Sequence, residues 1–172
     1  MVDLTLEIGG VIFRNPIFVA SGTFGYGTEL KDELPIQKLG AIVTKGLTLE
    51  PLKGNPPPRI WETPCGLLNS IGLENIGVKR FIDEKLPELR EIGVPIVVNV
   101  AGSDLKEYLE IVELLNDYRE ISSLELNVSC PNVKRGGMEF GRDPKTLRVL
   151  VEEVRKKTKK PLWVKLTPNF VD

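Results

Sequence analysis

With 172 residues, 41% hydrophobic and 27% charged, the chain has the make-up of a globular protein that buries a core of ordinary size. Its 23 basic and 24 acidic residues nearly cancel, which leaves no electrostatic footprint for nucleic acid or an anionic membrane. No apolar run approaches the roughly 20 residues of a membrane helix, no basic residue precedes Arg14, and the sequence reads as cytoplasmic.

Leu4-Thr5-Leu6-Glu7-Ile8 alternates at period two and meets Val11-Ile12-Phe13 across Gly9-Gly10, the pattern of a two-residue β-hairpin. Ile17-Phe18-Val19-Ala20 is a short apolar run of the kind covered on both faces in a parallel sheet. The spacing predicts a short helix over Thr28 to Leu34, stopped by Pro35, and a second buried strand at Ala41-Ile42-Val43. A long irregular insertion follows, through Pro56-Pro57-Pro58 to Asn69-Ser70-Ile71-Gly72, of a length more often functional than idle. Val78, Phe81, Ile82 and Leu89 form a helical stripe disturbed at Pro87, which leads to the strand Ile96 to Val100.

Asp104 and Glu107 resemble a capping box, with Leu105, Tyr108, Leu109, Val112 and Leu115 at helical spacing behind them. Leu124 to Val128 is the next strand. Asp143-Pro144 reads as an N-cap and first helical residue ahead of Leu147, Leu150, Val151 and Val154, and Leu162 to Leu166 is a fifth strand ended by Pro168. Strand and helix alternating behind a hairpin argue for parallel βα units. Gly22, Gly25 and Gly27 run in the reverse of the dinucleotide-binding order, so a barrel winding is preferred over a Rossmann sheet. The expected fold class is α/β, a (βα)-barrel type: residues 1–172 as a single domain forming the N-terminal portion of a TIM barrel, about five parallel strands after a hairpin. A complete barrel needs about 250 residues, so the C-terminal strands are expected to be missing.

Cys65 and Cys130 are the only cysteines and histidine is absent, which excludes Ser-His-Asp and Cys-His machinery and any zinc or iron–sulfur site built from this chain alone. No metal site is expected. Every expected parallel strand ends in or carries near its end a reactive or hydrogen-bonding side chain: Ser21, Lys45, Asn99, Asn127 with Cys130, and Lys165. In βα-barrels these ends converge on the face that holds active sites. Each residue also has a structural reading. Ser21-Gly22 is turn chemistry, the lysines can reach water, Asn99 can be a satisfied core amide, and a lone cysteine is commonly a small buried hydrophobe. Cys65 keeps that last reading, whereas Cys130 lies between Ser129 and Pro131, outside the apolar run. Glycines around Met138-Glu139-Phe140 suggest a mobile lid or an ordinary flexible loop.

Asn127-Val-Ser-Cys130-Pro-Asn132, the Lys45 strand end, the Asn69-Ser-Ile-Gly72-Leu73 loop and Lys165 together resemble the soluble class of dihydroorotate dehydrogenases, flavin enzymes of pyrimidine synthesis. The Lys134-Arg135-Gly136-Gly137-Met138 stretch is similar to the NAD-linked subgroup, which works with an electron-transfer subunit carrying FAD and a [2Fe-2S] cluster. The resemblance implies FMN contacted by Ala20, Ser21, Lys45, Gly46, Asn99, Asn127 and Lys165, and dihydroorotate held by Lys45, Asn69, Ser70, Ile71, Gly72, Leu73, Asn127 and Asn132. It further implies Cys130 as general base on the substrate C5 proton while hydride leaves C6. A homo-oligomer is expected, with orotate as product and the 172-residue chain alone inactive. The alternatives are a related flavin barrel acting on another pyrimidine, such as a dihydropyrimidine dehydrogenase domain, and a non-catalytic half-barrel that assembles with copies of itself.

Overall fold

The computed structural model describes residues 2–129 and 137–167. Strands β1 (Leu6–Ile8) and β2 (Val11–Phe13) pair antiparallel across Gly9-Gly10, whose φ angles of +61° and +83° are what a type I′ turn requires. The chain continues through β3 (Phe18–Val19), β4 (Ala41–Val43), β5 (Ile60–Thr63), β6 (Gly66–Asn69), β7 (Ile96–Val100), β8 (Ile121–Asn127) and β9 (Leu162–Lys165). Strands β3-β4-β7-β8-β9 form one five-stranded parallel sheet in that order, the partial barrel expected from the alternation.

Helices cover the outer face: α1 (Gly77–Arg80), a π turn (Phe81–Lys85) and α2 (Leu86–Ile92), then α3 (Leu105–Leu115), the short α4 (Gly137–Arg142) and α5 (Pro144–Lys157). Pro87 explains the π turn: it has no N–H to donate and its ring crowds the carbonyl one turn back, so the helix widens ahead of it. Asp104 caps α3 by accepting from Glu107 N at 2.9 Å, and Asp143 caps α5 through Thr146 N at 3.0 Å. The outer core joins Ile42, Ile96, Val98, Leu124 and Leu126 of the sheet to Phe81, Leu89, Tyr108, Ile111, Leu150 and Val154 of the helices.

The inner face has its own smaller core, in which Phe13 of the hairpin meets Ala41, Val43 and Val97, with Phe18 and Trp163 against them. Phe18 lies on one edge strand of the sheet and Trp163 on the other, yet their rings stack at 6.2 Å with planes 9° apart. Four inter-strand steps therefore carry β3 round to face β9, about one eighth of a turn per step, which is the curvature of an eight-stranded barrel. The opening hairpin plugs the lower end of this arc, with Phe13 4.8 Å from Phe18 and 6.0 Å from Trp163.

Four expectations are corrected. Thr28 to Leu34 is a series of turns and not a helix, because the Glu29 carboxylate gathers the N–H groups of Tyr26, Gly27 and Thr28 and folds the segment back; seven residues before a proline also do not repay helix nucleation. The irregular insertion contains the β5–β6 hairpin, with Cys65 exposed in its turn and not buried as a small hydrophobe. Strand β8 begins at Ile121, earlier than the apolar run, since Ser123 faces the inside of the arc and is fully buried there. Gly137–Arg142 is a short helix and not a flexible loop, and Phe140 packs edge-on against Tyr108 at 5.7 Å.

Candidate active site

Alternation along each strand decides what enters the arc. On β8, Leu124 and Leu126 join the outer core, so Ser123, Glu125 and Asn127 point the other way. Glu125 is in register with Asn99 on β7 and with Trp163 on β9, and Asn127 with Lys165. The lower layer of the interior is aromatic and aliphatic, while the layer at the C-terminal strand ends is almost wholly polar.

The polar layer is one hydrogen-bonded network. Lys165 Nζ donates to Ser21 Oγ at 2.6 Å, and Ser21 Oγ donates to Glu125 Oε1 at 3.0 Å. Asn99 Nδ2 donates to the same Glu125 oxygen at 2.5 Å, and Asn127 Nδ2 donates to Asn99 Oδ1 at 3.2 Å. Ser129 Oγ and N close the sequence by donating to Asn127 Oδ1 at 3.0 and 3.3 Å. Asn99 is fully buried with all its amide hydrogen-bonding directed into this network, and Tyr108 OH holds the end of β8 by donating to Asn127 O at 2.7 Å.

Above the network opens a cavity of about 450 Å³, lined by Ser21, Gly22, Lys45, Gly46, Asn99, Asn127, Ser129 and Lys165 on the strand side and by Arg59, Ile60, Asn69, Ile71, Leu73 and Glu74 from the insertion. Arg59 is paired with Glu74 at the rim. Lys45 and Lys165 bring two cations to the cavity, and the Glu125 carboxylate lies behind it, reached through Ser21 and Asn99. A cavity of this size, with apolar walls and convergent amide, hydroxyl and ammonium groups, suits a planar polar heterocycle and a second small anion.

Of the residues expected to hold FMN, Ser21, Lys45, Gly46, Asn99, Asn127 and Lys165 line this one cavity, and Ala20 stands beside it, exposed, its carbonyl accepting from Thr23. Of those expected to hold substrate, Lys45, Asn69, Ile71, Leu73 and Asn127 line it too. Ser70 and Gly72 turn toward Asn55 instead: Asn55 Nδ2 donates to Ser70 Oγ at 2.9 Å, and a Cβ at Gly72 would meet Asn55 N at 2.7 Å. Cys130 and Asn132 lie outside the described residues. Sequence reading missed Gly22, Arg59, Ile60, Glu74 and above all Glu125, whose signal was a charged residue at an inward position of an otherwise buried strand.

One wall of the cavity depends on the loop from Ser21 to Thr28. Lys45 N donates to Gly25 O at 2.8 Å, Tyr26 OH accepts from Ile76 N at 2.9 Å, and Glu29 fastens the turn. Burial acts to raise the Glu29 pKa, but the N–H groups of Tyr26, Glu29 itself, Gly27 and Thr28 outweigh it and hold the carboxyl below its ordinary value of 4.5. A folded-state pKa below the unfolded one gives stability that is present above the unfolded value and lost as pH falls through the folded value. Glu29→Gln is therefore expected to lower the melting temperature at neutral pH and to flatten its fall between about pH 5 and 3, read by thermal melts across that range; parallel curves for the two proteins would refute the role of the carboxylate.

The family model described as dihydroorotate dehydrogenase matches residues 3–172. The chain belongs to the dihydroorotate dehydrogenase family. Among relatives, the dihydroorotate dehydrogenase B (NAD(+)) catalytic subunit of Geotalea daltonii is 54% identical over 170 residues, 99% of this chain and 56% of that protein. In Aquifex aeolicus a protein provisionally named dihydroorotate dehydrogenase A (fumarate) is 52% identical over 171 residues, also 99% of this chain and 56% of that protein. The two acceptor classes thus lie at similar distances from this chain. The crystal structure of DHODH in complex with ferulenol from Eimeria tenella superposes with a TM-score of 0.73 at 21% identity, covering 97% of this chain and 53% of that one, which shows the shared fold. The chain spans 56% of the length of the curated relatives it matches.

Proposed function

We propose that this chain is the N-terminal part of a flavin-binding (βα)8 barrel, residues 1–172 making a single domain with the strands that follow in its relatives, and that the whole protein oxidises dihydroorotate to orotate in pyrimidine biosynthesis. The carrying observation is the convergence of Ser21, Lys45, Gly46, Asn99, Asn127 and Lys165 on one cavity at the strand ends of a family member.

The donor set fits FMN. Gly46 leaves room where a Cβ would come within 2.8 Å of Asn99 Oδ1 and 3.2 Å of Leu73 Cδ1, so the strand end stays open to a flat ring. Ser21, Lys45, Gly46, Asn99, Asn127 and Lys165 would hold it, with Ala20 alongside. When bound, FMN supplies the acceptor for the hydride from C6 of dihydroorotate. Lys165 presents an ammonium, already fixed by Ser21, where negative charge gathers in the reaction. Lys45, Asn69, Asn127 and Asn132 bind the substrate carboxylate and ring amides, with Ser70, Ile71, Gly72 and Leu73 shaping the loop that excludes water. Cys130 takes the proton from C5; an unperturbed thiol has a pKa of about 8.5, so the reaction is favoured at mildly alkaline pH.

The two cysteines of this chain are too few for a cluster, and its type B relatives are named as a catalytic subunit, so a separate electron-transfer subunit would bring FAD and [2Fe-2S]. The exposed Ile60, Trp61, Leu67 and Leu68 of the β5–β6 hairpin support a homo-oligomer. No helix among the described residues is long and apolar enough to cross a membrane, in keeping with a cytoplasmic setting.

The deciding experiment is a visible spectrum and a dihydroorotate assay of the protein at the length of its relatives, with NAD+ and fumarate as alternative acceptors and uracil as the competing substrate. Bound flavin and dihydroorotate turnover are expected; a colourless protein that takes up no FMN refutes the reading. Turnover by the 172-residue chain alone would show that the remaining strands are dispensable. Within this site, Gly46→Ala is expected to weaken FMN binding about tenfold, the loss of roughly one hydrogen bond, because its methyl displaces Asn99 Oδ1 from Asn127. Fluorescence titration with FMN checks it.

A further inference from the structure

We propose that Glu125 is a positioning residue for the flavin site, acting on Lys165 through the Ser21 hydroxyl and on Asn127 through the Asn99 amide. The proposal rests on the FMN reading above and adds to it a residue that none of the expected contacts included.

Glu125 is held in place from both sides, its backbone in register with Asn99 and Trp163. Its carboxylate is acceptor-only, and this fixes the direction of every bond around it. Ser21 has one proton; it goes to Glu125 at 3.0 Å, which leaves the hydroxyl lone pairs for Lys165 Nζ at 2.6 Å and Asn99 Nδ2 at 3.4 Å. Asn99 must turn its NH₂ to Glu125, so its Oδ1 faces Asn127 Nδ2, and Asn127 Oδ1 in turn faces the Ser129 N–H and hydroxyl. One carboxylate thus sets which atom each of two asparagines and one serine presents, across β7, β8 and the loop after β3.

Charge gives the second consequence. Among the described residues Glu125 makes no direct ion pair, and its link to the Lys165 ammonium runs through Ser21. A carboxylate and an ammonium joined by a single hydroxyl, both partly buried, offset each other's charge at the cavity floor. Removing the negative member leaves the ammonium uncompensated, and an electron pair placed on a ring beside it is then better stabilised.

Test this on the full-length holoprotein with Glu125→Gln, Ser21→Ala and the double variant, reading the flavin midpoint potential by spectroelectrochemistry, FMN affinity by fluorescence titration, and kcat separately from KM. Glu125→Gln is expected to move the potential positive by at least a tenfold change in the two-electron equilibrium, about 30 mV. The same substitution made in the Ser21→Ala background should move it less, because the link is already cut. A parental potential and parental FMN affinity in folded Glu125→Gln protein overturn the proposal. Should that variant not fold, a parental potential and kcat in Ser21→Ala overturn it instead. A parent protein that binds no FMN is a different outcome: it refutes the flavin reading itself, and this inference with it.

Discussion

Replacing Lys165 by alanine in the full-length protein is expected to slow flavin reduction by dihydroorotate about 10²- to 10³-fold, the usual cost of deleting one preorganised donor to developing charge. The side chain is half-buried, its ammonium pinned to Ser21 Oγ at 2.6 Å and its backbone fixed in register with Asn127, so water does not reproduce its position. The deletion also leaves the partly buried Glu125 carboxylate without its compensating cation, which penalises the fold as well as the reaction. Arginine is not expected to rescue, because a planar fork replaces a point charge in a space bounded by Ser21 and Asn99. Anaerobic stopped-flow at the flavin band checks the prediction, and a rate within threefold of the parent would remove Lys165 from the mechanism. Added Glu125→Gln should recover part of the lost melting temperature, because it removes the stranded charge.

Phe81→Ala is expected to cost about 3 to 5 kcal/mol of stability. Phe81 is fully buried at the start of the π turn, in the outer core with Ile42, Leu89 and Val98, and its ring lies 6.0 Å from that of Tyr26. Tyr26 is the pivot of the cavity-side loop, since its hydroxyl accepts from Ile76 N and the neighbouring Gly25 carbonyl receives Lys45 N. The void is therefore felt on both faces of the sheet: chemical denaturation should show the full loss, and FMN affinity should fall with it. A loss below 1 kcal/mol would mean that the helical layer collapses onto the gap, and the coupling from helix to cavity would be wrong.

How much of this was legible in the residues varies with what each feature depends on. The five parallel strands were readable because continuous apolar runs such as Ile96 to Val100 leave few alternatives, and the barrel winding was preferred because Gly22, Gly25 and Gly27 do not follow the dinucleotide-binding order. The convergence of Ser21, Lys45, Asn99, Asn127 and Lys165 was readable for a related reason: parallel winding sends every strand end to one rim. The short helix at Thr28 to Leu34 was misread because propensity does not register a carboxylate that collects backbone N–H groups from the preceding turn. The β5–β6 hairpin was missed because Pro64-Cys65 is not a recognisable two-residue turn and its strands are stabilised by neither alternation nor burial. Glu125 escaped because a one-residue view takes a charge between two leucines as solvent-facing, and only the closure of the arc shows that this side of β8 looks inward.

The aromatic stack at the base of the arc has a practical corollary. The chain carries two tryptophans in opposite surroundings, Trp61 69% exposed on the hairpin and Trp163 in the interior against Phe18. Their emission should separate into a red, readily quenched component and a blue, shielded one, with acrylamide reporting the first and ligand entry the second. The molecule is thus equipped with two native optical probes, one for what docks on its outside and one for what fills its centre.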